Sequence, residues 1–266
     1  MKKASFKQHT LVFKTPGGTS RGVLNIKETY FLLIEEGERI GIGECGLFRG
    51  LSADDRPDYE LTLSWLCDHI NESPDVLWQE LLAFPSIQFG LEQALLSLNN
   101  ASNLELFPTE FTQGKGTVPI NGLIWMGDPD FMEKQIAEKI EAGFDTLKMK
   151  IGAIDFDTEI ELLNTIRKSF SKDEIVLRVD ANGGFSPEEA LAKLERVAAR
   201  DIHSIEQPIT PGQWETMKEL CTHTPLPIAL DEELIGVFDV TKKQELLHIV
   251  NPQFIILKPS LIGGFK

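Results

Sequence analysis

From about residue 118 onward, the chain repeats one unit, a short apolar strand followed by an amphipathic helix. This alternation constrains the chain to a parallel sheet, because each helix returns the chain to the same end of the sheet. The predicted strands cover residues 118–125, 146–151, 175–180, 202–206, 228–231 and 254–258. Two of the predicted helices between them cover residues 130–142 and 186–199.

The charged residues that end these strands recur at a regular interval. About 25 to 30 residues separate successive members of the set Lys150, Asp180, Glu206, Asp231 and Lys258. So even a period, without a glycine-rich phosphate-binding loop after the first strand, favours a (β/α) barrel of the TIM type over a dinucleotide-binding sheet. The predicted fold class is therefore α/β, with the barrel in the C-terminal part of the chain.

The residues before this repeat have a different pattern. Strand-like residues flank a Glu36-Gly37 turn, which predicts a hairpin with strands 24–35 and 39–44. Two glycine-containing loops flank the hairpin; they either connect elements at the surface or cover a substrate. The predicted helices of this part cover residues 59–71 and 86–100, and the two loops cover residues 15–21 and 46–52. The chain is therefore expected to have two domains, an α+β domain of residues 1–115 and the barrel domain of residues 116–266.

Charge and cysteine content limit the partners of this chain. Its 26 Lys and Arg residues against 41 Asp and Glu residues give a formal charge of −15, which disfavours nucleic acid and anionic membranes. A small carboxylate substrate would then need a local positive site, such as a metal ion or a few placed lysines. Three widely spaced cysteines and no long apolar run predict a cytoplasmic protein without disulfides, signal peptide or membrane span. The pattern does not predict an oligomeric state.

Three carboxylates end three consecutive strands, namely Asp180, Glu206 and Asp231. Alone, each of them could be a helix cap or a salt-bridge partner. Because the carboxyl ends of barrel strands meet at one mouth, we expect the three side chains to lie close together. Hard oxygen ligands without nearby His or Cys favour Mg²⁺, for which Mn²⁺ can substitute.

Lysines flank this predicted metal site. Lys148 and Lys150 lie on one face of their strand and Met149 on the other, so the two ammonium groups are expected roughly 6 to 7 Å apart. Their repulsion, about 2 kcal/mol at an effective dielectric constant near 20, should lower the pKa of one lysine before the opposing carboxylates are counted. Lys258 is expected on the far side of the mouth. A base beside a divalent cation suits removal of a proton α to a carboxylate, the chemistry for which enolase-superfamily sites are known.

The order of these motifs resembles the enolase superfamily, muconate lactonizing subgroup, and within it the o-succinylbenzoate synthase family. The resemblance runs from the N-terminal hairpin to the last residue, although racemases, epimerases and cycloisomerases share the same lysines and ligands. The five motifs are Lys148-x-Lys150, Asp180-Ala-Asn182, Glu206-Gln-Pro208, Asp231-Glu232 and Lys258-Pro259.

The resemblance implies a role for each matching residue. Asp180, Glu206 and Asp231 would bind Mg²⁺, and Lys150 would remove the α-proton and then help a hydroxyl group leave as water. Lys148 would tune Lys150 and contact the substrate carboxylate. Lys258 would stabilise the enediolate from its opposite face by a cation–π contact. The residues implied to orient the metal ligands are Arg178, Asn182 and Glu232. Loops of the N-terminal capping domain are implied to close over the substrate, and the residues of these loops are Arg21, Phe48 and Leu51.

Other interpretations remain open at this point. A complete barrel has eight strands and the pattern predicts six, so the chain is interpreted as part of a longer protein. An N-acylamino acid racemase or dipeptide epimerase would use Lys150 and Lys258 as two bases. A non-catalytic fragment that binds metal or a partner is a second alternative. A Schiff-base lyase that uses Lys258 is a weaker one, because the acidic cluster argues against it.

Overall fold

Segments rich in β-branched and aromatic residues form two separate sheets in this computed structural model, which describes residues 1–19, 22–100 and 102–265. In that part of the chain, β1 to β3 form an antiparallel sheet and β4 to β9 a parallel sheet, each in sequence order. The strands β1 to β9 are Lys3–Thr19, Gly22–Glu36, Arg39–Cys45, Gly122–Ile124, Thr146–Lys150, Val176–Asp180, Ile202–Glu206, Ile228–Leu230 and Phe254–Ile255.

The helices alternate with the strands of the parallel sheet, as the sequence predicts. Across all the described α-helices, five begin with proline in the first turn, where its missing N–H costs no hydrogen bond. None of the described helices is long and apolar enough to cross a membrane. The helices α1 to α9 are Tyr59–Asp68, Pro74–Glu80, Pro85–Asn99, Pro129–Glu141, Phe156–Ser169, Pro187–Ala198, Trp214–His223, Val240–Val250 and Pro259–Ile262.

Contacts between residues divide the chain into two units. The first unit consists of Met1–Val118, Ile235–Val240 and Leu257–Lys266, and the second consists of Pro119–Leu234 and Thr241–Ile256. The three-stranded sheet therefore belongs to the first unit, and the parallel sheet belongs to the second.

Close packing of α3 against β3 holds the first unit together. A Cβ atom on Gly43 would lie 1.8 Å from the Gly90 carbonyl oxygen, and one on Gly90 would lie 2.3 Å from Cys45 Sγ. Only glycine permits this approach of helix to strand. The core beside it contains the aromatic pair Tyr30 and Tyr59, whose ring centroids lie 5.3 Å apart.

The N-terminal hairpin confirms the predicted turn but extends further than predicted. Gly37 has a φ of 63°, the left-handed conformation that glycine adopts without strain. β1 pairs with β2 along most of its length, so residues 15–19, predicted as a loop, belong to a strand. The register shifts between Val12 and Gly17, which explains how the Pro-Gly-Gly segment is accommodated in a strand. Arg21 lies outside the described residues.

In the second unit the predicted strands are confirmed, with corrections at both ends of the sheet. β7 has the predicted bounds, whereas β4 is only three residues long because Val118 and Ile120 lie exposed before it. β9 ends at Ile255 rather than at Lys258. Lys258 instead precedes α9 as its N-cap residue and has an exposed side chain.

Side chains alternate across the parallel strands as predicted. Leu147 and Met149 on β5, and Leu177 and Val179 on β6, are buried on one side of the sheet. The amphipathic helices supply apolar side chains for burial, such as Ala190, Leu194 and Val197 of α6. The opposite side of β5 and β6 therefore carries the charged residues.

Candidate active site

Strand register brings the predicted strand-end charges together. Lys150 of β5 lies opposite Asp180 of β6, which in turn lies opposite Glu206 of β7. Two residues earlier in each strand, and on the same face, Lys148 lies opposite Arg178. Because parallel strands in register end at one edge of the sheet, residues far apart in sequence form a single charged cluster.

Two lysines share one buried carboxylate in this cluster. Lys148 Nζ lies 3.0 Å from Asp180 Oδ2 and 2.6 Å from Glu206 Oε2. Lys150 Nζ lies 3.0 Å from the same Asp180 oxygen and donates to Asn182 Oδ1 at 2.7 Å. The shared oxygen keeps the two ammonium groups at most about 6 Å apart, at or below the lower end of the predicted range of roughly 6 to 7 Å. Asp180 is 1% exposed and Glu206 3%.

The pKa of Lys148 is raised, whereas lysine–lysine repulsion alone would lower a lysine pKa. Burial lowers the pKa of Lys148, but the charges and hydrogen bonds of Asp180 and Glu206 outweigh that effect. Burial likewise raises the pKa of Asp180, and the two lysines reverse the shift, so that this pKa is lowered. The carboxylates, whose opposing effect the sequence left uncounted, thus dominate the electrostatics of Lys148.

The pKa values of two further carboxyl groups of the cluster, Glu206 and Glu232, are raised. Burial raises the pKa of Glu206 to about 7; the Asp180 charge and a hydrogen bond with Asp231 contribute, and Lys148 opposes the shift. Burial and the Asp231 charge also raise the pKa of Glu232. Burial is the larger cause of both pKa shifts, and the charges of neighbouring carboxylates add to it.

Asn182 joins three of the site residues. Its backbone N–H donates to Asp180 Oδ1 at 3.0 Å, its side-chain oxygen accepts from Lys150, and its Nδ2 donates to Glu232 Oε1 at 2.9 Å. Its φ of 45° is a left-handed conformation, which costs free energy at a residue other than glycine and is typical of functional sites. The orienting roles expected of Asn182 and Glu232 stay predictions.

Unpartnered polar atoms remain beside the cluster. Glu232 Oε2 and Arg178 Nε are buried and have no hydrogen-bond partner within the described part of the chain. The carboxyl groups of Asp180, Glu206, Asp231 and Glu232 outnumber the cationic groups of Lys148, Lys150 and Arg178 in these strands. The orienting role expected of Arg178 stays a prediction.

The donor set fits a hard divalent cation. Asp180, Glu206 and Asp231 supply only oxygen atoms and are almost fully buried. Among the described residues, no three His, Cys, Asp or Glu side chains are already grouped closely enough to hold a metal ion. In this arrangement Lys148 Nζ lies between two of the carboxylates, so metal binding would require it to move away from them.

Three other residues of the site were not singled out from the sequence. Gln207 follows Glu206, is fully buried, and donates through Nε2 to Glu233 Oε2 at 2.9 Å. Glu159 of α5 accepts hydrogen bonds from three consecutive N–H groups in the loop after Lys150. The only sequence signal was position, since Gln207 and Glu233 lie within two residues of predicted ligands.

The remaining predicted residues belong to the first unit or lie outside the described residues. Lys258 and the loop residues Phe48 and Leu51 lie in the first unit. The Phe48 ring is 4.9 Å from Lys27 Nζ, and the Phe48 carbonyl accepts from the Leu51 N–H. Their roles toward a substrate, and that of Arg21, stay predictions.

Comparison with known proteins identifies similar sequences and folds. The family model for the enolase C-terminal domain-like family matches residues 132–265. A curated o-succinylbenzoate synthase from Desulfotalea psychrophila is 41% identical, over 98% of this chain and 79% of its own length. The crystal structure of MenC from the same organism matches with a TM-score of 0.84 and 38% identity, over 99% of this chain and 80% of that one.

A more distant solved structure has the same fold. The dipeptide epimerase from Cytophaga hutchinsonii, complexed with Mg and the dipeptide D-Ala-L-Val, matches with a TM-score of 0.79 and 22% identity. The match covers 99% of this chain and 73% of that one. The α/β fold with an N-terminal antiparallel sheet and the parallel strands of a (β/α) barrel is thus shared with these proteins. The family match and the 41% identical relative show that the chain belongs to the enolase superfamily.

Proposed function

We propose that this chain is an o-succinylbenzoate synthase of menaquinone biosynthesis, which dehydrates 2-succinyl-6-hydroxy-2,4-cyclohexadiene-1-carboxylate to o-succinylbenzoate. The observation that supports this most is the contact of Lys148 and Lys150 with Asp180. Glu206 ends the next strand of the same sheet, and Asp231 directly follows the strand after it. The o-succinylbenzoate synthase that is 41% identical over 98% of the chain favours this reaction within the superfamily.

Lys150 would carry the proton in this reaction. In its neutral form it accepts the proton from the ring carbon next to the carboxylate, and it then donates that proton to the 6-hydroxyl group. The C–H and C–O bonds break, water leaves, and the ring becomes aromatic. Asp180 and Asn182 hold Lys150 at the strand end between these events.

A bound Mg²⁺ would stabilise the negative charge that develops on the substrate carboxylate during proton removal. Asp180, Glu206 and Asp231 would hold the ion, with Asn182 and Glu232 orienting them. Mn²⁺ accepts the same oxygen ligands and should substitute for it. Lys148 would then contact the substrate carboxylate and tune Lys150 by its charge.

Residues outside the charged cluster complete the proposal. Lys258 would stabilise developing charge from the opposite face of the ring by a cation–π contact. Loops with Arg21, Phe48 and Leu51 in an N-terminal capping domain, residues 1–115, would exclude water from the catalytic domain, residues 116–266.

The test follows the ultraviolet absorbance of the synthetic cyclohexadiene with the full chain, in Mg²⁺ and in EDTA. We expect aromatisation that needs the metal and falls by about 10² to 10⁴-fold in Lys150→Ala. Lys172→Ala is the matched control, because Lys172 is exposed outside the cluster. Absence of turnover by the folded product of the full open reading frame, with Mg²⁺ bound, would overturn the proposed reaction.

A racemase or epimerase reaction is the second candidate, because the fold is shared with a dipeptide epimerase. With Lys150 and Lys258 as bases on opposite faces, such an enzyme would exchange the α-hydrogen of N-acylamino acids or dipeptides with solvent deuterium. Rapid exchange without aromatisation of the cyclohexadiene would favour this reaction. Aromatisation with slow exchange would favour the synthase.

A further inference from the structure

Gln207 has an unusual position for an uncharged polar residue. It follows Glu206 at the end of β7, its side chain is 0% exposed, and its φ is 38°. A buried amide is costly unless hydrogen bonds replace its water, and a left-handed conformation adds a further cost. The surroundings of Gln207 must therefore compensate for both.

The side-chain amide of Gln207 uses all of its hydrogen-bonding capacity. Its Oε1 accepts from the N–H groups of Asp231 and Glu233, both at 3.2 Å. Its Nε2 donates to the Ile209 carbonyl oxygen at 3.0 Å and to Glu233 Oε2 at 2.9 Å. Two donors and two acceptor sites are the full capacity of a glutamine side chain.

The backbone of Gln207 adds links to two further segments. Its N–H donates to the Ala229 carbonyl oxygen of β8 at 2.9 Å, and its carbonyl oxygen accepts from the Gly183 N–H at 2.7 Å. Gly183 lies in the loop that follows Asp180. One residue is thus hydrogen-bonded to the chain after β6, after β7 and after β8; β6 and β7 end in Asp180 and Glu206, and Asp231 directly follows β8.

Glu233 extends this connection. Its Oε2 accepts from Gln207, while its Oε1 accepts from the Gly212 N–H at 2.7 Å in the segment before α7. Glu233 is 3% exposed. The pair therefore spans the loops after β7 and β8 with directional bonds, which a packed apolar side chain could not supply.

We propose that Gln207 is a positioning residue that sets the spacing of the Asp180, Glu206 and Asp231 carboxylates for a divalent cation. This inference rests on the proposed use of these three residues as metal ligands. Gln207 contacts no reacting atom in this account. It acts through the backbone N–H of Asp231 and through the strand-end loops that carry the other two carboxylates.

The test compares Mg²⁺ affinity with stability in four full-length chains. In Gln207→Glu the new carboxylate keeps the acceptor oxygens, cannot donate to Ile209 or Glu233, and adds a negative charge beside Glu233, which the double variant below removes again. The double variant Gln207→Glu with Glu233→Gln exchanges amide and carboxylate and so restores the hydrogen bond between positions 207 and 233. The matched control is Gln213→Glu, since the Gln213 side chain donates to the carbonyl oxygen of Thr210, three residues away.

Calorimetric titration with MgCl₂ gives the Kd, and thermal unfolding in EDTA gives the metal-free stability. We expect Gln207→Glu to raise the Kd for Mg²⁺ by about 10 to 100-fold, as is usual for groups that orient metal ligands. The double variant should recover most of that loss, and the control should bind like wild type. A residue that only fills the core would lower the unfolding temperature without changing the Kd.

A folded Gln207→Glu chain that binds Mg²⁺ within twofold of wild type would overturn the inference and leave the proposed function intact. If Gln207→Glu does not fold, the double variant decides: a Kd within tenfold of wild type supports positioning, and one more than 100-fold weaker contradicts it. A wild-type chain that binds no Mg²⁺ would overturn both the proposed metal site and this inference. Mg²⁺ binding with the expected effects but no aromatisation would overturn the proposed reaction alone.

Discussion

At the scale of single residues, opposing electrostatic effects decide which groups of the cluster carry charge. Asp180 contacts two lysines, and its pKa is lowered; Glu206 contacts one lysine and two acidic neighbours, and its pKa is raised. Two buried carboxylates a strand apart therefore differ in protonation near neutral pH. The number of cations within contact distance explains the difference.

The raised pKa of Glu206 predicts a pH-dependent stability of the metal-free protein. Between its ordinary pKa of 4.5 and the folded value of about 7, the folded state holds more protons than the unfolded state. The free energy of unfolding in EDTA should therefore fall as the pH rises through this window. Glu206→Gln removes the titrating group and should flatten this part of the curve. Equal slopes for both chains, measured by denaturant unfolding, would contradict the assignment.

The sequence predicted these residues because their types and spacing are local information. Lys150, Asp180 and Glu206 each end an apolar strand, and strand alternation places them on one face. The direction of the Lys148 pKa shift was not predictable, because it depends on a 2.6 Å contact with a residue 58 positions away. The bonds of Gln207 to Asp231 and Glu233 depend on tertiary structure in the same way.

At the scale of elements, loops that follow strands are held by single side chains. Glu159 Oε1 accepts from the N–H groups of Gly152, Ala153 and Ile154 at 2.7, 3.2 and 3.3 Å. Its Oε2 is buried without a hydrogen-bond partner among residues that the structure describes. Glu159 thus fixes the loop between β5 and α5 directly after Lys150, and burial raises its pKa.

Two substitutions at Glu159 should have different effects. Glu159→Ala removes the acceptor of three N–H groups and should cost about 1 to 3 kcal/mol of unfolding free energy. Glu159→Gln keeps an acceptor oxygen and removes a buried charge, so it should change stability by less than about 1 kcal/mol. Denaturant unfolding of the two variants measures this difference. Equal losses would show that the charge, not the acceptor, holds the loop.

Arg49 fixes the loop after β3 to its neighbours. Its guanidinium lies 2.7 Å from Glu28 Oε2 and 2.8 Å from Asp55 Oδ1, and Asp55 Oδ2 accepts from the Gly50 N–H at 2.7 Å. The Arg49 side chain is 44% exposed, so these ion pairs should add less than about 1 kcal/mol to stability. Their effect should instead be the ordering of the loop that carries Phe48 and Leu51.

Arg49→Ala should therefore speed hydrogen exchange of the Gly50 amide while leaving the unfolding midpoint almost unchanged. Arg56→Ala is a matched control, because Arg56 forms its ion pair with Asp58, two residues away. Unchanged exchange at Gly50 in Arg49→Ala would show that the loop is ordered without this residue.

Elements were predicted well where periodicity is strong and poorly where turn residues lie inside a strand. The alternating pattern of β5 and β6 gave their bounds within one residue. The Pro-Gly-Gly segment of β1 is typical of a loop, yet pairing with Leu24 and Val23 of β2 keeps it extended. This pairing within the hairpin overrides the local preference of proline and glycine.

At the scale of the whole molecule, net charge opposes folding. A formal charge of −15 on 266 residues makes the compact state repel itself, and unfolding relieves part of that repulsion. Salt shortens the Debye length from about 30 Å at 0.01 M to about 8 Å at 0.15 M. Repulsion between distant carboxylates is therefore screened at physiological ionic strength, whereas contacts such as Lys148 with Glu206, which are buried, are screened much less.

This difference predicts that NaCl stabilises the metal-free protein. Raising NaCl from about 0.01 to 0.15 M in EDTA at pH 7 should add roughly 1 kcal/mol, or about 2 to 4 °C in unfolding temperature. Sucrose is the control, because it acts by exclusion from the protein surface and should stabilise without regard to charge. If salt instead lowers the unfolding temperature, attractive ion pairs between exposed side chains outweigh the net repulsion, because salt screens those pairs far more than the buried contacts of Lys148 and Lys150.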